Sequence, residues 1–224
     1  MTTILAAVDD SAAATPVLET ALALAPIFGA DVQCVQVAET LGRTGQAAAE
    51  ALGTSLRAID GDPLDVLVGL AARDDTVAIV VGSRDRPGGP RPAGHLALAL
   101  AGVIAKPVVL VPPDLPHLSS IRRAVIALSG TTRSRRYLQR AVELAAATGL
   151  DLVVVHVDDE DTIPSFSDQA QYDNEVYAAE FLARFCPGAP DARLKMRMGS
   201  PADEILAAAH EAGADLVAVG WPQS

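Results

Sequence analysis

Apolar residues fall into short continuous runs separated by longer segments rich in Ala and Leu, and the two kinds of segment alternate along the chain. Residues 3–8, 31–37, 54–59, 77–81 and 108–111 form runs of four to seven residues, most of them β-branched or apolar, and predict strands buried on both faces. Between them, residues 12–28, 44–52, 62–73 and 94–105 have the length and composition of helices. Gly29 and Gly53 stand where left-handed C-caps belong. Asp62-Pro63 is a cap residue followed by proline at the first helical position, where the missing N–H costs nothing. The second half repeats the alternation: strands at 123–128, 151–157, 192–198 and 215–219, and helices at 133–148, about 168–185 and 201–212. Buried runs alternating with helices predict a doubly wound α/β fold with a parallel sheet covered on both faces.

The two halves match residue by residue. Ala21, Leu24, Ala25, Gly29, Asp31, Val35 and Val37 recur 120 positions later as Ala141, Leu144, Ala145, Gly149, Asp151, Val155 and Val157. Further on, Gly61-Asp62-Pro63 recurs as Gly199-Ser200-Pro201, Asp65 as Asp203, Ala71 as Ala209 and Gly82 as Gly220, at an offset of 138. Two collinear blocks differing by a single shift of 18 residues read as a duplicated unit, the second copy carrying an insertion between Val157 and Gly199. The domains are read as 1–113 and 120–224, joined by the stiff segment Pro112-Pro113-Asp114-Leu115-Pro116. The second copy stops after Trp221-Pro222-Gln223-Ser224, short of a counterpart to the first copy's last loop, helix and strand.

Composition narrows the function classes. Seventeen basic and 28 acidic residues give a net charge of −11, a surface that repels the phosphates of nucleic acid. No apolar run approaches the ~20 residues of a membrane span, and MTTILAAVDD reads as a strand start rather than a leader, so a cytoplasmic protein is expected. Cys34 and Cys186 share no metal or redox spacing and read as buried thiols, and the four scattered histidines form no metal motif. Asp158-Asp159 reads as a solvated loop after the second strand of the second copy.

In a doubly wound sheet, ligands bind beyond the carboxyl ends of the strands where the strand order reverses. Three segments converge there in the first copy: Asp9 after strand one, Val37 at the end of strand two, and Gly82–Leu96 after strand four. That last segment holds four glycines, three prolines and three arginines and opens a helix. Glycines let backbone amides approach a phosphate, and a helix N-terminus adds free N–H donors and partial positive charge. A flexible surface loop is the competing reading of the same residues.

Val8-Asp9-Asp10-Ser11, Gly61-Asp62-Pro63, the glycine loop and Pro107-Val108-Val109-Leu110-Val111-Pro112 together resemble the universal stress protein family in its tandem form. The resemblance covers the first half fully and the second until it stops. In nucleotide-binding members the aspartate after strand one contacts adenine, and loop glycines with a hydroxyl residue hold ribose and phosphates. The resemblance thus implies ATP or a related adenine nucleotide, with Mg2+, at Asp9, Val37, Gly82, Gly94, His95 and Leu96.

There are departures. Asp85 stands where the pattern has its second loop glycine, the loop is one residue short, His95 replaces the hydroxyl, and Asp10 replaces a glycine. Arg84, Arg86 and Arg91 would offset Asp85 or simply face solvent. Ser129 replaces the aspartate in the second copy, where no nucleotide is expected. A stress-responsive sensor is the leading expectation, a non-nucleotide interaction module the alternative. No Walker lysine, GxSxG elbow or catalytic triad points to an enzyme. The family's pairing through the fifth strand implies a homodimer through Val108–Val111.

Overall fold

The structure is a computed structural model and describes residues 1–83, 94–158 and 175–221. The chain divides into two compact units, Met1–Ser120 and Ile121–Trp221.

The first unit runs β1 (Thr3–Val8), α1 (Ala14–Phe28), β2 (Asp31–Val37), α2 (Arg43–Ala51), β3 (Leu56–Ile59), α3 (Pro63–Ala71), β4 (Thr76–Gly82), α4 (His95–Val103) and β5 (Val108–Val111). Its sheet is parallel throughout, in the order β3-β2-β1-β4-β5. The order reverses between β1 and β4, which makes this the switch point of a doubly wound fold. Alternate strand residues serve opposite faces. Leu5, Val35, Ile79 and Val81 pack with Leu67 and Ala71 of α3 and Ala97 and Leu100 of α4. Ile4, Ala6 and Val80 are buried on the other face, where α1 lies against β1 and β4.

The second unit runs β6 (Arg123–Ala127), α5 (Thr132–Thr148), β7 (Asp151–Asp158), α6 (Glu175–Phe185), β8 (Arg193–Met198), α7 (Pro201–Ala212) and β9 (Leu216–Val219). Its sheet, in the order β8-β7-β6-β9, repeats the first four positions of the other sheet. The shared backbone turns follow the sequence offsets. Gly29 and Gly149 are left-handed at φ 58° and 69°, each donating to the carbonyl of the alanine four residues back, Ala25 or Ala145. Gly61 and Gly199, 138 positions apart, sit at φ 134° and 132°, a region that side chains rarely adopt.

Where the copies differ, burial differs. Ile79 and Val81 of β4 are 0% and 5% exposed under α3 and α4, whereas their counterparts Val217 and Val219 of β9 are 37% and 51% exposed. The predicted helix at about 168–185 is described from Glu175 onward, and most of the inserted stretch lies outside the described residues. Asp158 differs from its sequence reading. It is the last residue of β7, paired with Met198 of β8, and its side chain is 18% exposed, with Oδ1 3.3 Å from His156 Nε2; Asp159 lies outside the described residues.

Candidate functional site

The register of the first sheet sets the site. Ala7 pairs with Val81, and Val8 with Gln36, so Asp9 leaves β1 between the end of β2 at Val37 and the end of β4 at Gly82. Asp9 is exposed, and its Oδ1 accepts one hydrogen bond, from the Ser11 N–H at 3.1 Å. Ser11 Oγ in turn accepts from the Ala13 N–H at 3.1 Å. This turn holds the Asp9 carboxylate at the rim of the sheet and leaves most of its acceptor capacity available.

On the far side of the switch point, the ends of the glycine-rich segment are pinned together. The Ser83 N–H donates to the Val111 carbonyl at 2.7 Å, and the Gly94 N–H donates to the Ser83 carbonyl at 2.5 Å. Gly94 is therefore fixed as the N-cap of α4 in an extended conformation, and among the described residues no side chain caps that helix. The N–H groups of its first turn, from His95 and Leu96 onward, have no intrahelical partner. His95 and Leu96 are both exposed beside them. Val37 is half-buried against the apolar cluster under α3 and α4. Asp9, Val37, Gly82, Gly94, His95 and Leu96 thus all lie at the carboxyl edge of one sheet. Arg84, Asp85, Arg86 and Arg91 fall outside the described residues.

Two further residues belong to this edge. Asp10 Oδ1 accepts from the Thr44 N–H at 2.6 Å, and that bond holds the carboxyl below the usual range. Gln36, 5% exposed, accepts from the Gly42 N–H at 3.0 Å. Together they fasten the start of α2 over the ends of β1 and β2. A Cβ on Gly42 would stand 2.5 Å from the Asp10 carboxyl carbon, and one on Gly45 would stand 3.2 Å from Leu56 Cδ2, so glycine at both positions lets the segment lie this close.

The same edge of the second unit is filled at the end of β7. Ser129, in the place of Asp9, is exposed, its Oγ 3.0 Å from Thr131 Oγ1, and its N–H donates to Ser134 Oγ. His156, in the place of Gln36, lies over Gly130. Its Nδ1 is 2.7 Å from the Leu128 carbonyl oxygen, its Nε2 3.3 Å from Asp158 Oδ1, and its ring 5.2 Å from that of Phe181. A Cβ on Gly130 would meet His156 Cε1 at 3.2 Å and Phe181 Cε2 at 3.6 Å. Imidazole and phenyl ring therefore fill this part of the cleft. Elsewhere, burial raises both thiols, Cys186 to about 11, which makes each a packing group rather than a nucleophile. Among the described residues no group of three His, Cys, Asp or Glu could hold a metal ion.

Residues 120–224 match the model of the universal stress protein family. Residues 120–224 thus carry a universal stress protein domain. The fold of the whole chain is that of universal stress proteins of known structure. It superimposes on a universal stress protein from Archaeoglobus fulgidus DSM 4304 with a TM-score of 0.66 at 17% identity, over 96% of this chain and 85% of that one. A putative universal stress protein from Pseudomonas aeruginosa UCBPP-PA14 gives 0.62 at 12% identity, over 96% and 80%. A universal stress protein in complex with cAMP is 25% identical over 45% of this chain and 73% of that one, with a TM-score of 0.34. No match was found among curated proteins.

The sequence pattern missed Gln36, Asp10 and His156 as members of the two edges. Gln36 and His156 carried one signal, since they occupy the same place in the repeat, each a polar residue just before a valine. Asp10 was visible only as a departure from glycine; its partner lies 34 residues away.

Proposed function

We propose that the first unit binds an adenine nucleotide such as ATP at the carboxyl edge between β1 and β4, and that the chain works as a cytoplasmic stress-response sensor rather than as an enzyme. One observation carries this reading: the strand register sets the exposed Asp9 carboxylate across the switch point from the uncapped start of α4. A carboxylate with free acceptor capacity suits the donor groups of a base or ribose, and unpaired helix N–H groups suit phosphate oxygens. Gly94 has no side chain to obstruct such an approach. Mg2+, if it accompanies the nucleotide, would be bound mainly through the phosphates. The rings of His156 and Phe181 over Gly130 support a single nucleotide per chain.

The alternative, a module that contacts proteins and binds no nucleotide, is favoured by one feature: Asp10 places a second carboxylate beside Asp9 and spends it on α2. Isothermal titration with Mg-ATP separates the two readings. The nucleotide reading expects saturable heat at one site, lost in Asp9→Ala; no heat from the parent protein refutes it. We further propose that the chain pairs with a second copy through β5. Among the described residues that strand is bonded on one side only, to β4, and Leu110 is 36% exposed.

A further inference from the structure

The second unit has a cavity of about 280 Å³ lined by Thr132, Arg133, Arg136 and Tyr137, at the start of α5. It lies beside the second switch point, where the end of β9 follows β6: Tyr137 packs on Gly220, with Cβ and Cδ2 at 3.5 and 3.6 Å from the place of a glycine Cβ. We propose that this cavity binds the phosphate group of a small phosphorylated molecule, held by Arg133 and Arg136.

The repeat supplies the first argument. At the offset of 120, the counterparts of Arg133, Arg136 and Tyr137 are Ala13, Pro16 and Val17, all buried, Ala13 at 3% and Val17 at 1% exposure. The first unit uses these positions as apolar packing under its own sheet end. The second unit has put two guanidinium groups and a phenol there, which no apolar neighbour would tolerate without desolvating charge. Its surface here is built to face an anion or water.

Charge supplies the second. The chain carries 28 acidic residues against 17 basic ones, and four other arginines of this unit find them: Arg123 and Arg193 share Asp151, Arg140 meets Glu143, and Arg197 meets Glu204 and Glu211. Among the described residues Arg133 and Arg136 make no ion pair or hydrogen bond. Three residues apart on a helix, they lie on one face. Paired guanidinium forks match the oxygens of a phosphate in both charge and geometry. The start of α5 is already satisfied by Thr131, whose Oγ1 accepts from the Ser134 N–H at 3.2 Å, so the arginines rather than the helix end make the site.

The site is small, lined by four residues, which suits a phosphate monoester of a few carbons better than a dinucleotide. The proposal stands apart from the nucleotide reading of the first unit and survives its failure.

The test is isothermal titration of the full chain with inorganic phosphate and with glycerol 3-phosphate, in a phosphate-free buffer at low ionic strength. Saturable binding of either probe is expected, weakened tenfold or more in the Arg133→Gln/Arg136→Gln double variant, which is about 1.4 kcal/mol or more. Arg140→Gln should bind as the parent does. Unchanged binding in the double variant, equal weakening in Arg140→Gln, or no heat from either probe overturns the assignment. Both replaced side chains are exposed, so the far-ultraviolet circular dichroism of the double variant should match the parent's.

Discussion

Replacing Gly130 by alanine tests whether His156 and Phe181 close the second edge. Gly130 has φ 67°, and Gly149, in the same unit, has φ 69°. A left-handed conformation costs an alanine ~1–2 kcal/mol, and the cost should be nearly the same at the two positions. The gain from a stiffer unfolded chain is also common to both. Their surroundings differ. An added Cβ at Gly149 meets nothing within 4 Å, whereas at Gly130 it meets His156 Cε1 at 3.2 Å. The ring must give by a few tenths of an ångström, and it is held by the Leu128 carbonyl and by Asp158 while packed on Phe181. Weakening one such hydrogen bond costs ~0.5–1.5 kcal/mol. Gly130→Ala should therefore lose about 1 kcal/mol more than Gly149→Ala, or about 4–8 °C in the melting of a unit this size. Trp221, the single tryptophan, lies in this unit and reports its unfolding in urea. In a His156→Ala background the difference between the two glycine variants should disappear. Equal losses at the two glycines in the parent protein would show that the ring does not fill the cleft.

Asp62→Ala should destabilise the first unit by ~0.5–2 kcal/mol in denaturant titration, because Asp62 Oδ1 accepts from the Leu64 and Asp65 N–H groups. Its counterpart Ser200 makes no such side-chain bond, so Ser200→Ala should change stability by less than about 0.5 kcal/mol. Arg123 and Arg193 hold the Asp151 carboxyl below its usual 3.8, so its contribution is complete above that pH and is lost as pH falls through the lower folded value. Acid titration followed by circular dichroism should show Asp151→Asn with a flatter loss of stability below about pH 4 than the parent; an identical slope contradicts the assignment. Light scattering at micromolar concentration should give twice the chain mass, and replacing exposed Leu110 by lysine should halve it; a parent monomer refutes pairing through β5.

Most of the fold was legible because buried parallel strands and capped helices leave strong local marks. The runs at 3–8, 31–37 and 108–111 became β1, β2 and β5 with the same limits, and Gly29, Gly149, Asp62 and Gly94 stand at helix ends where the sequence placed them. The first edge was legible as far as strand order implies neighbours. What escaped depends on contacts between distant segments. Asp10 looked like a substitution against binding, and only the folded chain brings Thr44 to it. His156 read as one more residue of an apolar strand, because Phe181, which packs against it, follows the inserted stretch. Asp158-Asp159 looked like a loop since two acids rarely end a buried strand, yet pairing with β8 carries β7 through Asp158.

The central claim is that one adenine nucleotide binds each chain, at the edge between β1 and β4. Amide chemical shifts recorded during titration with Mg-ATP test it residue by residue. Asp9, Val37, Gly82, Gly94, His95 and Leu96 should move along a saturating curve, while Ser129, His156 and Gly220 stay in place. Shifts that appear first at the second unit's edge, or none at Asp9 and Gly94 at millimolar nucleotide, would contradict it.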